Sequence, residues 1–215
     1  PAVVMEDAEN LDRVAAHVVN GAFWNMGENC SATSRLIVHA AVKDDLLARI
    51  TAHAREWVMG DPLDPETRVG ALVSQAHFDK VCGYLDKGQN LVFGGNAKDG
   101  FVEPTVIEAA PGDAIAQDEV FGPVLAVLTV SSFDEAIQLA NDTPYGLTNY
   151  VQSQDTARLQ RLSRQLRSGM VEMNGKSRGA GAPFGGMKMS GNGREGGSWG
   201  IHDFVEVKAV SGWQD

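Results

Sequence analysis

VLAVLTVSSFDEAIQLANDTPYGLTNYVQSQDTARLQRLSRQLRSGMVEMN, residues 124–174, is the stretch that decides the fold. Val124 to Val130 is β-branched and almost wholly apolar, which reads as a buried strand. Ser132-Phe133-Asp134-Glu135 follows as a capping box. In it the serine hydroxyl and the glutamate carboxylate each satisfy a backbone N–H that the first helical turn leaves open. A helix is predicted to about Asn141, with Pro144 marking its limit. Thr148 to Gln152 is strand-like again. Asp155 can cap a helix carrying Leu159, Leu162 and Leu166, closed by Gly169, and Met170 to Met173 makes a third strand. Strand, helix, strand, helix and strand with short connections imply an α/β fold. Its sheet is mostly parallel and twisted, with flanking helices and right-handed crossovers. Ligands in such sheets are expected beyond the carboxyl ends of the strands.

Working outward, Leu11, Val14, Ala15 and Val18 recur at helical spacing, and Gly21 is the expected stop. Arg35 to His39 reads as a buried strand. Leu47, Ile50, Ala54 and Trp57 form one face of a second helix, ended by the loop at 60–65. Phe78, Val81, Cys82 and Leu85 line a third helix that stops near Gly88. Glycine is dense from Gly175 to Gly200, so backbone conformation is being specified there. Val205, Val207 and Ala209 alternate with Glu206 and Lys208, the pattern of a half-buried strand near the chain's end.

With 215 residues, 43% hydrophobic and 21% charged, the chain can bury a sizeable core. A formal net charge of -10 argues against nucleic acid or an anionic membrane as partner, since both call for basic patches. No apolar run is long enough to span a bilayer. The opening Pro1-Ala2-Val3-Val4-Met5-Glu6-Asp7 has no basic leader region. Two cysteines far apart suit a reducing, cytoplasmic setting. No His-x-x-x-His or Cys-x-x-Cys spacing is present, so no metal site is expected.

Cys30 follows Phe23-Trp24-Asn25-Met26-Gly27-Glu28-Asn29, a helical run that ends in a polar glycine turn. The thiolate is the reactive form of cysteine, and a helix N-terminus favours it. A helical turn over Ser31 to Arg35 would put Cys30 at such a terminus, with its own N–H able to face an oxyanion. The competing reading is a small buried hydrophobe, which composition alone favours. Cys82, on an apolar helical stripe, is expected in the core. Glu119-Val120-Phe121-Gly122-Pro123 places an acid and an aromatic in a turn, suited to a sugar hydroxyl and a flat ring, or simply to solvent and packing. Phe184 has the same ambiguity. Gly191-Asn192-Gly193-Arg194-Glu195-Gly196 matches G-x-G-x-x-G but lacks the flanking strand and helix of a dinucleotide loop.

Four segments taken together, in order, resemble the NAD(P)-dependent aldehyde dehydrogenase superfamily. They are Phe23 to Cys30, Glu119 to Pro123, Asn141-Asp142-Thr143-Pro144-Tyr145-Gly146-Leu147, and Pro183 to Glu195. The resemblance covers the chain to about Trp213 and implies the catalytic-domain fold of that family. It implies that Cys30 is the nucleophile, attacking an aldehyde carbonyl to give a thiohemiacetal. Loss of hydride to the nicotinamide of NAD or NADP then leaves a thioester, and water releases the acid. It further implies that Glu119 holds the nicotinamide ribose, Phe121 packs near the nicotinamide, Phe184 lines the substrate tunnel and Glu195 relays protons. Members of the family are more than twice this length, with the cofactor domain and a general-base glutamate ahead of the nucleophile. The expected division is therefore a catalytic domain over 1–203 and an oligomerisation-type strand and tail over 204–215, the cofactor domain being absent from this chain. A homo-oligomer and a small aldehyde are the expected partners. The chain by itself is expected not to reduce NAD(P). A cofactor-independent thiol esterase and a non-catalytic assembly module are the alternative readings.

Overall fold

The computed structural model describes residues 1–85 and 90–213. The strands are β1 (Ala2–Val4), β2 (Arg35–His39), β3 (Asn90–Phe93), β4 (Ala97–Lys98), β5 (Phe101–Val102), β6 (Thr105–Glu108), β7 (Val124–Val130), β8 (Thr148–Gln152) and β9 (Met170–Met173). The helices are α1 (Leu11–Phe23), α2 (Ala40–Ala54), α3 (Gln75–Leu85), α4 (Ala114–Gln117), α5 (Phe133–Asn141), α6 (Thr156–Gln165) and α7 (Gly197–Gly200). The expected end of the third helix near Gly88 lies outside the described residues.

One sheet runs in the order β3-β6-β7-β2-β1-β8-β9, parallel throughout except for the β3–β6 edge pair. The opening stretch forms its three strands and two helices, but the second helix ends at Gln165, leaving Leu166 in extended backbone rather than running to Gly169. Its first crossover, however, passes over two strands: β2 and β1 sit between β7 and β8. Alternation along the strands feeds two cores. Ala2, Val4, Leu36, Val38, Leu125 and Val127 face α1 and α2, whereas Val3, Ile37, Leu128 and Val151 face α5 and α6. Both faces being covered is why these strands are apolar almost end to end.

Cap chemistry follows the sequence closely. The Ser132 hydroxyl accepts from the Glu135 amide at 3.2 Å, and the Glu135 carboxylate accepts from the Ser131 amide at 2.7 Å and from its hydroxyl at 3.0 Å. These Ser131 bonds hold the Glu135 carboxyl below its ordinary titration range. Asp155 accepts from the amides of Ala157 and Arg158.

Three local expectations are corrected. Gly21 does not end α1, which runs on to Phe23. A Cβ at residue 21 would lie 2.6 Å from Thr33 Oγ1, so the glycine lets the 31–34 segment press against the helix. Cys82 is half-buried on α3 rather than in the core. Residues 205–210 form no strand: Val207 is 93% exposed, and the alternating pattern has no ladder partner among the described residues.

Candidate active site

The loop that carries Cys30 is built from unusual backbone. Asn25, Met26 and Gly27 take φ of 51°, 57° and 68°, three consecutive left-handed residues in the Trp24–Gly27 turn. Such a conformation costs a non-glycine residue about 1–2 kcal/mol. It is held by the Asn25 side-chain amide, which donates to the Glu28 carbonyl at 2.9 Å, and by the Glu28 amide, which donates back to the Asn25 carbonyl at 2.9 Å. Cys30 then stands exposed, its thiol 3.7 Å from Asn29 Oδ1.

No helical turn follows Cys30, so the condition for a helix N-terminus behind the thiol is not met. The Asn29 side chain accepts from the Ser31 amide at 3.1 Å, and the Ala32 and Thr33 amides donate to Asn29 and Gly21 carbonyls. With those amides committed, no helix N-terminus can form behind the thiol. Instead the segment is pinned at Ser31, whose carbonyl accepts from the Tyr150 hydroxyl at 2.8 Å. Burial pushes that phenol's pKa up.

Glu119 and Phe121 lie in the loop that enters β7. Phe121 also has a left-handed φ, 59°, and Gly27 touches the next residue: a Cβ on Gly27 would meet the Gly122 carbonyl oxygen at 2.2 Å. Helix α3 supports this loop through one polar stripe. Tyr84 donates to Asp118 at 3.1 Å, Lys80 to the Glu119 carbonyl at 2.7 Å, and His77 lies 2.7 Å from the Phe121 carbonyl. His77 also stands 3.5 Å from the Glu28 carboxylate, and both side chains are largely buried. Reading α3 only for its apolar face missed this stripe. Positions 77, 80 and 84, spaced as one helical face, were the available signal.

These segments enclose a cavity of about 110 Å³, lined by Cys30, Asn29, Glu119, Phe121 and Gly146 among others. Its place is another correction. Cys30 precedes β2, Phe121 precedes β7 and Gly146 precedes β8, so the cavity opens at the amino ends of the parallel strands. At the carboxyl ends β2 runs straight into α2, and β7 reaches α5 through Ser131 and Ser132 alone. The helix N-termini there are closed by His39, Ser132 and Asp155.

A second recess, of about 180 Å³, shares Asn29 and Ser31 with the first and is lined also by Trp24, Tyr150 and Glu172. Phe184 and Glu195 line neither space. They pair with each other through reciprocal backbone bonds of 2.7 Å. Phe184 carries the Arg178 guanidinium 4.9 Å above its ring, and Arg178 in turn pairs with Glu172 at 3.5 Å. Sequence reasoning thus named three residues that meet at one cavity and two that meet elsewhere.

Two cations missed by that reasoning close the C-terminus of α5. The buried Arg35 guanidinium donates to the carbonyls of Leu139 and Ala140, and Lys188 donates to those of Asn141 and Thr143. Burial lowers the Arg35 pKa to about 10, and burial, then Arg167 and Arg35, lower that of Lys188. Arg35 therefore ties the strand after Cys30 to the wall that carries Gly146. Among the described residues no cluster of three potential metal ligands occurs, and no helix is long and apolar enough to cross a membrane.

The sequence model of the aldehyde dehydrogenase family matches residues 1–210. The chain belongs to the aldehyde dehydrogenase family. It is 52% identical to the aminoacetaldehyde dehydrogenase of Pseudomonas aeruginosa, over all of this chain and 45% of that protein. It is 42% identical to the peroxisomal aminoaldehyde dehydrogenase 1 of Pisum sativum, over 98% of this chain and 44% of that one. The crystal structure of the aldehyde dehydrogenase KauB from Pseudomonas aeruginosa superposes with a TM-score of 0.93 at 38% identity, covering 98% of this chain and 45% of KauB. An indole-3-acetaldehyde dehydrogenase complexed with NAD+ also gives 0.93, at 39% identity and with the same coverage. The chain thus spans a little under half the length of the curated relatives it matches, and its mostly parallel sheet with flanking helices is that of its structural neighbours.

Proposed function

We propose that this chain is the catalytic domain of an NAD(P)-dependent aldehyde dehydrogenase, with Cys30 as nucleophile. The observation that carries the reading is the meeting of Cys30, Glu119 and Phe121 at one cavity, from loops far apart in sequence. An exposed thiol at a strained turn is open to attack a carbonyl carbon, and Asn29 beside it orients the sulfur. The sulfur–carbon bond forms as the carbonyl π bond opens, giving a thiohemiacetal on Cys30. Loss of two electrons and one proton from that carbon, with the hydroxyl proton released to solvent, leaves a thioester, which water cleaves to the carboxylic acid and the thiol.

The residues present fit the nicotinamide end of a dinucleotide. Glu119 offers an exposed carboxylate that would accept from the two ribose hydroxyls, and the Phe121 ring is fixed by its backbone turn and by an edge contact with His77. When bound there, the nicotinamide supplies the two-electron acceptor. We assign the aldehyde to the second recess, reached past Phe184, Arg178 and Glu172, and we assign Glu195 to passing protons to solvent. Small aldehydes, the amino aldehydes named for the relatives included, are the proposed substrates. The proposed setting is the cytoplasm, where an exposed thiol stays reduced. The exposed 204–213 segment is proposed to find its strand partner in a second copy.

The test uses the complete polypeptide that carries this chain. Propanal and 3-aminopropanal with NAD or NADP should give the reduced nicotinamide, and intact mass after a single turnover should show an acyl group on Cys30. Cys30→Ser should abolish both. Dehydrogenase activity that survives Cys30→Ser would refute the assignment.

A further inference from the structure

We infer that His77 is a positioning residue for this reaction: one imidazole nitrogen ties the loop of Cys30 to the loop of Glu119 and Phe121. The inference rests on the function proposed above.

Nε2 of His77 lies 2.7 Å from the Phe121 carbonyl oxygen. A carbonyl can only accept, so Nε2 carries the proton, which fixes the tautomer of the neutral ring. The same nitrogen is 3.5 Å from Oε1 of Glu28. That carboxylate oxygen is in turn held by the Val73 amide at 3.0 Å. One N–H thus faces an acceptor from each loop, and α3 supplies it from a rigid element rather than from a third loop.

The need for such a tie comes from the backbone. The Cys30 loop contains three left-handed residues and the Phe121 loop one, and the two press together where Gly27 meets Gly122. Left-handed non-glycine turns persist only where their surroundings over-determine them. The Phe121 carbonyl that His77 holds belongs to the strained residue itself. Glu28 directly follows the three left-handed residues and is two positions from Cys30. Lys80 holds the Glu119 carbonyl and Tyr84 holds Asp118, whereas His77 touches both the Phe121 loop and the Cys30 loop. Its ring is also edge-on to Phe121, centroids 6.3 Å apart, which fixes the face that ring presents to the cavity. Small displacements matter here, because attack needs the sulfur and the acceptor held in one geometry.

The test compares His77→Phe with His77→Gln in the complete polypeptide. Phenylalanine keeps the ring and removes the donor, whereas glutamine can still donate to the Phe121 carbonyl. His77→Phe should raise the KM for the nicotinamide cofactor roughly tenfold, the loss of about one hydrogen bond. In a Cys30→Ser background it should raise the calorimetric Kd for the cofactor by a similar factor. The rate of Cys30 alkylation by iodoacetamide should also change, while the KM for aldehyde stays within about twofold. His77→Gln should restore all three readings. Should the phenylalanine variant fail to fold, His77→Ala is read in the same way. An unchanged KM and Kd in His77→Phe, or a loss that glutamine does not restore, would overturn the inference. Cys30-dependent turnover in that same protein would leave the proposed function standing, so the two failures are distinguishable.

Discussion

Gly27→Ala tests the account of how the Cys30 loop is held. The residue has φ 68°, where an alanine costs about 1–2 kcal/mol more than glycine. Its Cβ would lie 2.2 Å from the Gly122 carbonyl oxygen, 2.5 Å from the Gly122 carbonyl carbon and 3.0 Å from the Pro123 nitrogen. Those are backbone atoms, so no side chain can rotate away, and the two loops must part by about an ångström to restore contact distance. Overpacking of that kind adds about 1–3 kcal/mol. The total, about 2–5 kcal/mol, corresponds to a fall in melting temperature of about 4–20 °C for a chain of this size. The assay is reversible urea unfolding followed by circular dichroism, with thermal scans alongside. Gly83→Ala serves as the control: it lies in α3, a Cβ there meets nothing within 4 Å among the described residues, and it should gain about 0.5–1 kcal/mol from helix propensity alone. A Gly27→Ala protein within about 0.5 kcal/mol of the parent would refute the close approach of the two loops and the left-handed turn together.

Two further expectations concern the frame of the site. Arg35→Met should cost about 1–3 kcal/mol in urea unfolding, because it strips the donors from the Leu139 and Ala140 carbonyls at a buried helix end. A neutral result would mean that the burial of the guanidinium offsets its bonds. Asp7→Ala should cost a similar amount, about 1–3 kcal/mol at neutral pH, with a definite pH dependence. Burial raises the Asp7 pKa, but hydrogen bonds from the Ser153 hydroxyl and the amides of Asp155 and Gln154 outweigh it, and the carboxyl titrates below its ordinary value. A depressed carboxyl stabilises the fold fully above its unfolded pKa and loses that contribution as pH falls through the folded one. The gap between parent and variant should therefore hold above about pH 5 and narrow below about pH 4. A gap that widens on acidification would contradict the assignment.

The fold was legible where local chemistry and periodicity agreed. From Val124 to Met173 each strand and each N-cap falls where the apolar pattern and the Ser132 and Asp155 side chains put it, while the second helix stops at Gln165, short of the expected Gly169. What periodicity does not encode is pairing order. The strands over 124–130 and 148–152 look like neighbours in sequence, yet β2 and β1 come between them, because the crossover over α5 is long enough to span both. Gly21 shows a second limit. A glycine past an apolar stripe reads as a stop, but here its missing side chain makes room for Thr33 while the helix continues. The segment at 205–210 shows a third: its alternation is that of a strand, but a strand exists only with a ladder partner, and the described residues offer none there.

The position of the cavity follows the same logic. The rule that ligands sit beyond strand carboxyl ends depends on helix N-termini being open to them. Here those termini are already satisfied by residues of their own segments, Ser132 and Asp155 for α5 and α6 and His39 for α2. The caps were in the sequence from the start, and they argue against a ligand at that edge. The spare length lies on the opposite side, in the residues 24–34 that enter β2 and the residues 109–123 that enter β7. Connections of that length must run over the surface and satisfy their own polar groups, so they are where uncommitted side chains gather. Left-handed residues at 25, 26, 27 and 121 mark both, and a helix stripe of His77, Lys80 and Tyr84 holds them. Had the lengths entering and leaving each strand been weighed against the caps, the amino edge would have been the expected place for Cys30, Glu119 and Phe121 to meet.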